Sequence, residues 1–298
     1  MDLSIVISLY NEEESLRELI AWITKSISGS HLRDKEYEII MVNDGSTDGS
    51  WKEVETLAKE DNHIRAISFR RNYGKSAALY EGFKAAQGEV VVTMDADLQD
   101  DPEEIPELYK MIMEEGYDLV SGWKKIRHDN TLTKNIPSKL YNWTARKVTG
   151  IKLHDMNCGL KAYRNEVVKA VEVYGDMHRY IPYLAKNAGY TKIGEHVVQH
   201  QARKYGSSKF GINRFFHGYL DLMSLWFLSH FSYRPMHIFG LWGSLVFFLG
   251  FISAVILGAS KLYALAEGIP FRLVTDSPYF HISLAMMIIG TQLFLTGF

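Results

Sequence analysis

The sequence predicts an α/β protein built on a mostly parallel, doubly wound sheet, with membrane helices behind it. Four short apolar runs alternate with amphipathic stretches in about 110 residues, the pattern of strand–helix units whose strands lie parallel. Each run ends in polar residues. Beyond Pro235 the composition changes, and no Asp, Glu, Lys or Arg occurs before Lys261.

The first run, LSIVISL, is too short to cross a membrane and reads as a buried strand, not as a secretory signal. Leu16, Leu19, Ile20 and Ile23 follow at helical spacing. YEIIMVND is a second strand, and Ser46 or Thr47 is expected to open the helix that contains WKEVETLAKE. IRAISF is a third strand. GKSAALYEGFKAAQG then reads as a helix with Gly88 as its stop, and EVVVTMDAD as a fourth strand. Ligands of such sheets bind beyond the carboxyl ends of the strands. Those ends carry Asn11-Glu12, Asn43-Asp44-Gly45, Arg70-Arg71-Asn72 and Asp95-Ala96-Asp97, which should converge on one crevice.

A formal charge of −2 gives no reason to expect a nucleic-acid partner. The single cysteine, Cys158, excludes an internal disulfide framework and fits a reducing compartment. No G-x-G-x-x-G follows the first strand and no G-x-x-x-x-G-K-[ST] occurs, which removes most support for a dinucleotide oxidoreductase or P-loop NTPase. The histidines His128, His154, His178 and His200 lack the short spacing of a zinc site.

The stretch MDADLQDDPEEI, residues 94–105, holds four aspartates and two glutamates. Asp101 to Glu104 form an ordinary acidic helix start around Pro102. Asp95 and Asp97 differ, because positions i and i+2 of an extended chain point to one side and crowd two like charges. Either a divalent cation sits there or the turn is solvated. A metal at one strand end and Asp44 at another would suit a nucleoside diphosphate.

IFGLWGSLVFFLGFISAVILGA is apolar on every side and long enough for a bilayer core. A second uncharged run, Phe280 to Phe298, barely reaches spanning length and stops at the last residue, which leaves open whether the natural chain runs on. Arg203, Lys204, Lys209, Arg214 and Arg234 precede the first span, whereas the loop between spans balances Lys261 and Arg272 against Glu267 and Asp276. The larger, amino-terminal part is therefore expected in the cytoplasm. Between them, NRFFHGYLDLMSLWFLSHF repeats aromatic and aliphatic pairs at helical spacing, as an interfacial helix or one packed on the domain would. The basic stretch QHQARKYGSSKFG reads either as a lipid-headgroup contact or as a phosphate-binding loop.

Five ordered segments, SLYNEE, VNDGSTDGS, RNYGKSAAL, MDADLQDDPEEI and DMNCGLKAYR, resemble family 2 glycosyltransferases of the GT-A fold, and more closely the polyprenyl-phosphate sugar synthases. The resemblance implies inverting, metal-dependent transfer of one sugar from a nucleotide sugar to undecaprenyl or dolichyl phosphate at the cytoplasmic membrane face. A UDP-glucose-like donor is favoured over GDP-mannose. Tyr10, Asn11, Glu12, Asp44, Arg71, Lys75, Asp95, Ala96 and Asp97 would hold the donor. Asp95, Asp97 and Gln99 would serve Mg2+ or Mn2+, with Asp97 and Gln99 as direct ligands. Lys124, Lys134, Ser138, Arg203, Ser208 and Lys209 would take the acceptor phosphate, the last three in a loop like the family's R-x-x-G-x-S-K. Asp155 stands where the superfamily often has a catalytic base. A phosphate acceptor, mostly dianionic at neutral pH, would leave it to orient acceptor or sugar, while Asp97 and Arg203 act beside it in catalysis. Tyr205 after Arg203, with no Trp following, departs from the Q-x-x-R-W of polymerising relatives. A non-catalytic nucleotide-sugar binder and a transferase acting on another membrane lipid are the rival readings. The expected organisation is a catalytic domain over 1–210, a juxtamembrane helix region over 211–235, spans over 236–262 and 280–298, and an extracytoplasmic loop over 263–279. Homo-oligomerisation is left open.

Overall fold

The computed structural model describes residues 1–125, 143–147, 149–201, 204–205, 223–224, 227, 235–270 and 273–298. The expectations for Lys134, Ser138, Arg203, Ser208, Lys209 and most of the juxtamembrane helix lie outside the described residues. The chain forms two compact units, Met1–Leu222 and Met223–Phe298.

The first unit is an α/β layer structure, as the alternation predicts. Its strands are β1 (Leu3–Leu9), β2 (Tyr37–Asn43), β3 (Ile64–Ser68), β4 (Val90–Asp95), β5 (Leu119–Trp123), β6 (Lys161–Arg164) and β7 (Ile193–Val197). They form a sheet of order β3-β2-β1-β4-β6-β5-β7. β1 lies parallel to β2 and β4, and β6 runs antiparallel between β4 and β5. Central strands covered on both faces read as near-continuous apolar runs. In β1 only Ser8 is not buried, whereas edge strand β3 buries Ile64 and exposes most of the rest. Helices α1 (Leu16–Ser28), α2 (Ser50–Glu60), α3 (Lys75–Ala85) and α4 (Ile105–Met113) cover the sheet. α1 turns Leu16, Leu19, Ile20, Ile23 and Ile27 into the core.

Two helix ends differ from expectation. α2 starts at Ser50, not at Ser46 or Thr47. The Ser46 hydroxyl accepts the Asn11 N–H and the Thr47 N–H donates to Asn11 Oδ1, so these groups are committed across a loop and cap nothing. α3 ends at Ala85, three residues before Gly88. There Lys169 donates to the carbonyls of Phe83, Lys84 and Ala86, and Arg65 to that of Ala85. Side chains from elsewhere in the chain terminate this helix.

The second unit holds two apolar helices, Pro235–Ala266 and Pro278–Gly297, whose apolar 18-residue stretches have mean hydropathies of 2.2 and 1.5. Both are long and apolar enough to cross a bilayer. They pack through a seam of small residues. A Cβ on Gly290 would come 2.5 Å from the Phe247 nitrogen and 2.7 Å from the Gly243 oxygen. Ser283 Oγ lies 2.8 Å from Ser253 Oγ.

Candidate active site

The polar strand ends do meet. Asn11 leaves β1 with φ 55°, a left-handed conformation that asparagine tolerates. Its side-chain oxygen accepts the Thr47 N–H at 2.8 Å, and the Glu12 N–H reaches Ser50 Oγ at 2.9 Å, stitching the first loop to the second. Asp44 is buried, and its two carboxylate oxygens accept the Tyr73 and Gly74 N–H groups at 2.7 and 2.9 Å. Gly45, at φ 67°, passes so close to Arg71 that a Cβ would lie 2.3 Å from its carbonyl carbon. Asp44, expected on the nucleoside, thus holds the third loop by its backbone. Burial raises its carboxyl above the usual range despite those two donors. Arg71 stacks over the exposed Tyr73 ring at 4.8 Å.

Loop three opens α3, and Lys75 from its first turn pairs with Asp95 at the end of β4. Burial pushes the Asp95 carboxyl up, but Lys75, helped by Lys124 and His178, holds it at about 2. Leu98 adopts φ 59°, a conformation that costs an ordinary residue about 1–2 kcal/mol, between Asp97 and Gln99. The Asp97 carboxylate accepts the Gln99 N–H at 3.2 Å and the Ala96 carbonyl accepts the buried Ser15 hydroxyl at 2.7 Å. The later acids behave as predicted, since Asp101 Oδ1 caps Glu103 N–H at 2.9 Å before Pro102–Glu104.

Lys124 is paired within the protein. Its ammonium is mostly buried and pairs at 2.7 Å with Asp100, whose side chain is fully buried. Burial alone would lower this lysine, yet Asp100 drives it well above the usual range. The group expected on the acceptor phosphate is held inside by an acid. The strand of chain after β7 runs beside the acid loop: Gln201 N–H donates to the Gln99 carbonyl at 3.0 Å, and Lys204 reaches Glu18 of α1 at 2.8 Å. The basic stretch therefore begins next to the acidic one.

Asp155 is buried in the turn before β6. Its N–H and that of His154 both donate to Glu195 Oε1, at 3.1 and 2.8 Å, and its Oδ1 accepts the Asn157 N–H at 3.1 Å. His154 stacks on Trp123, ring centroids 4.2 Å apart. The turn closes at Gly159, where a Cβ would come 2.7 Å from the Asp95 carboxylate and 2.9 Å from Asp100 Oδ2. No side chain separates the acid loop from the Asp155 turn. Ser76 at the start of α3 binds His178, its Oγ accepting the His178 N–H and lying 3.0 Å from Nδ1. Sequence reading missed Ser15, Glu195, Lys161 and the Ser76–His178 pair. Only Lys161, a buried charge at the start of the short strand KAYR, left a local signal.

Among the described residues no three His, Cys, Asp or Glu side chains gather as a metal cage. The strand-end set still fits a hard divalent cation, because Asp97 and the Gln99 amide offer oxygen and Asp95 lies beside them. Mg2+ and Mn2+ take one or two carboxylates and complete their coordination from substrate phosphates. Two cavities of about 500 Å³ lie elsewhere, one around Tyr37, Glu38, His63 and Arg65, the other around Phe69, Tyr73, Tyr80 and Tyr174. The converging loops and their charges favour the strand-end crevice over both.

The model of the family described as glycosyl transferase family 2 matches residues 4–172, which include every strand-end loop and the Asp155 turn. The chain belongs to that family. A dodecaprenyl-phosphate galacturonate synthase of Rhizobium johnstonii is 35% identical over 300 residues, covering 100% of this chain and 86% of the relative. An undecaprenyl-phosphate 4-deoxy-4-formamido-L-arabinose transferase of Proteus mirabilis is 38% identical, covering 87% and 76%. Glucosyl-3-phosphoglycerate synthase from Mycobacterium tuberculosis, crystallised with UDP, superposes with a TM-score of 0.57 at 19% identity, covering 76% of this chain and 79% of that one. The same enzyme with Mn2+ and UDP-glucose gives 0.56. These structural likenesses support the GT-A-like fold, and the sequence relatives place the chain among family 2 transferases.

Proposed function

We propose that this family 2 glycosyltransferase moves a single sugar from a nucleotide sugar to polyprenyl phosphate, inverting the anomeric centre, at the cytoplasmic face of the membrane. The observation that carries the reading is the contact of the acid loop with the Asp155 turn at Gly159, on the edge where the three donor loops end. Both sequence relatives are named for transfer to a polyprenyl phosphate, and two helices of spanning length supply a reason for the lipid to be at hand.

In this reading Asp97 and Gln99 hold a divalent cation, which when bound neutralises the donor diphosphate and eases its departure. Asp95, neutralised by Lys75, shapes the site next to it. A phosphate oxygen of the acceptor attacks the anomeric carbon, the bond from that carbon to the diphosphate oxygen breaks, and the electron pair leaves with the nucleoside diphosphate. The acceptor arrives ionised, so Asp155 orients acceptor or sugar and takes no proton. Arg203, Ser208 and Lys209 remain the proposed phosphate ligands, with Lys134 and Ser138. Lys124, paired with Asp100, stands with them as a proposed phosphate contact. The donor is a UDP-sugar, and UDP-glucose and a UDP-hexuronate are the first two to try.

Membranes containing the protein, given undecaprenyl phosphate and a panel of radiolabelled UDP- and GDP-sugars, should yield labelled lipid from at least one donor. Binding of nucleotide sugar with no transfer from any donor would favour a non-catalytic binder. Transfer to diacylglycerol instead would change the acceptor and require Asp155 as a base.

A further inference from the structure

We propose that Lys161 is a positioning residue for this reaction, clamping the turn that carries Asp155. It rests on the reading that Asp155 faces the substrates. Lys161 lies on β6, opposite Thr93 of β4 and Ser121 of β5, in the middle of the sheet. It is buried, 3% exposed, where a charge is costly unless it has a task. Its ammonium donates to the Cys158 carbonyl, and among the described residues no carboxylate lies within ion-pairing distance of it. Lys161 does not neutralise a neighbouring acid, as Lys75 and Lys124 do. It holds backbone.

The backbone it holds is the turn from Asp155 to Gly159. Thr93 Oγ1 donates to the next carbonyl, that of Gly159, at 2.9 Å, and Gly122 N–H to that of Leu160 at 2.9 Å. Glu195 takes the N–H groups at the other end of the turn. Three successive carbonyls are thus fixed from the sheet, and only the one at Cys158 depends on a side chain long enough to reach from β6. Burial pushes the Lys161 ammonium down from its usual range, while Asp155 and Asp95 oppose that and Lys75 adds to it. Removing the donor leaves a buried carbonyl unpaired beside Gly159, where no space remains to absorb a shift against Asp95. The turn then moves, and Asp155 moves with it.

A displaced orienting group costs rate more than affinity, and a misplacement of about 1 Å can remove roughly 100-fold of rate. Full-length protein in nanodiscs, carrying Lys161→Met, Lys161→Gln or Thr93→Val, is assayed for kcat and donor KM. Lys161→Met should lower kcat by about 100-fold with donor KM changed by less than about threefold. Lys161→Gln, which keeps a donor and loses the charge, should recover at least about a tenth of the wild-type kcat. A loss carried by KM would make Lys161 a substrate contact, and Lys161→Gln as poor as Lys161→Met would make the charge the active feature. Either result overturns the clamp, as does unchanged kcat. If Lys161→Met does not fold, Thr93→Val decides: lowered kcat at constant KM supports the clamp, and unchanged kcat sinks it. Wild-type protein that transfers no sugar would instead remove the function on which the inference stands.

Discussion

Asp97 and Asp155 differ in what their substitution should do. Asp97 is proposed to touch the cation, so Asp97→Ala should abolish transfer, and EDTA should do the same to the wild type with Mg2+ or Mn2+ restoring it. Full activity in chelator would remove the metal. Asp155 is proposed to orient, so Asp155→Asn, which leaves the turn and the side chain's size in place, should lower kcat by less than the roughly 10²-fold lost with a general base. The pH profile separates the two roles. With an acceptor that ionises near pH ~6, activity rises through that midpoint in both proteins. A lost acidic limb in Asp155→Asn, together with a larger rate loss, would restore the base.

At the scale of elements, the ion pair of His196 on β7 with Glu104 before α4, at 3.0 Å, fastens β7 beside the acid loop. Glu104 raises the histidine above its usual 6.5, and His196 lowers the glutamate below its usual 4.5. The histidine's contribution is present below 6.5 and fades as pH rises through its raised folded value. The glutamate's is present above 4.5 and fades as pH falls through its lowered one. Glu104→Gln should therefore destabilise the first unit most between those values, by about 1 kcal/mol for a half-screened pair, and least at alkaline pH. Thermal unfolding of both proteins across that range reads the difference, and a pH-independent gap would deny the pair any ionic part. The helical pair of the second unit makes a separate prediction. Ser253→Cys with Ser283→Cys should cross-link on oxidation, since the two hydroxyls lie 2.8 Å apart. Adding Gly290→Leu should abolish the cross-link, because the new Cβ would strike backbone atoms that cannot rotate away.

For the whole molecule the expectation is topological. A cysteine near Asp276 should react with an impermeant thiol reagent outside intact cells, and one replacing the exposed Lys59 of α2 should not. The native Cys158 is a poor reporter, because burial pushes its thiol up to about 12 and seals it from reagent on either side. Labelling at Lys59→Cys but not near Asp276 would put the crevice away from cytoplasmic nucleotide sugars.

By itself the sequence determined the first four strands, their parallel arrangement, the edge of the sheet that bears the crevice and the two apolar helices, but not β5, β6 and β7. Period and burial are local properties, so LSIVISL or Leu16-Leu19-Ile20-Ile23 can be read without knowing their neighbours. The acids of residues 94–105 could likewise be divided, because helix capping and strand-end crowding leave different spacings. Only tertiary structure decided which partner each polar group keeps. Asp44 turned to the backbone of loop three, Lys124 to Asp100, and Ser46 and Thr47 to Asn11, in each case across at least 24 residues of chain. Glu195 reached the Asp155 turn from β7, 40 residues further along the chain. A hydrogen bond between distant segments leaves no period in the sequence. It arises when the sheet brings two loops to one edge and a buried donor or acceptor must be satisfied there.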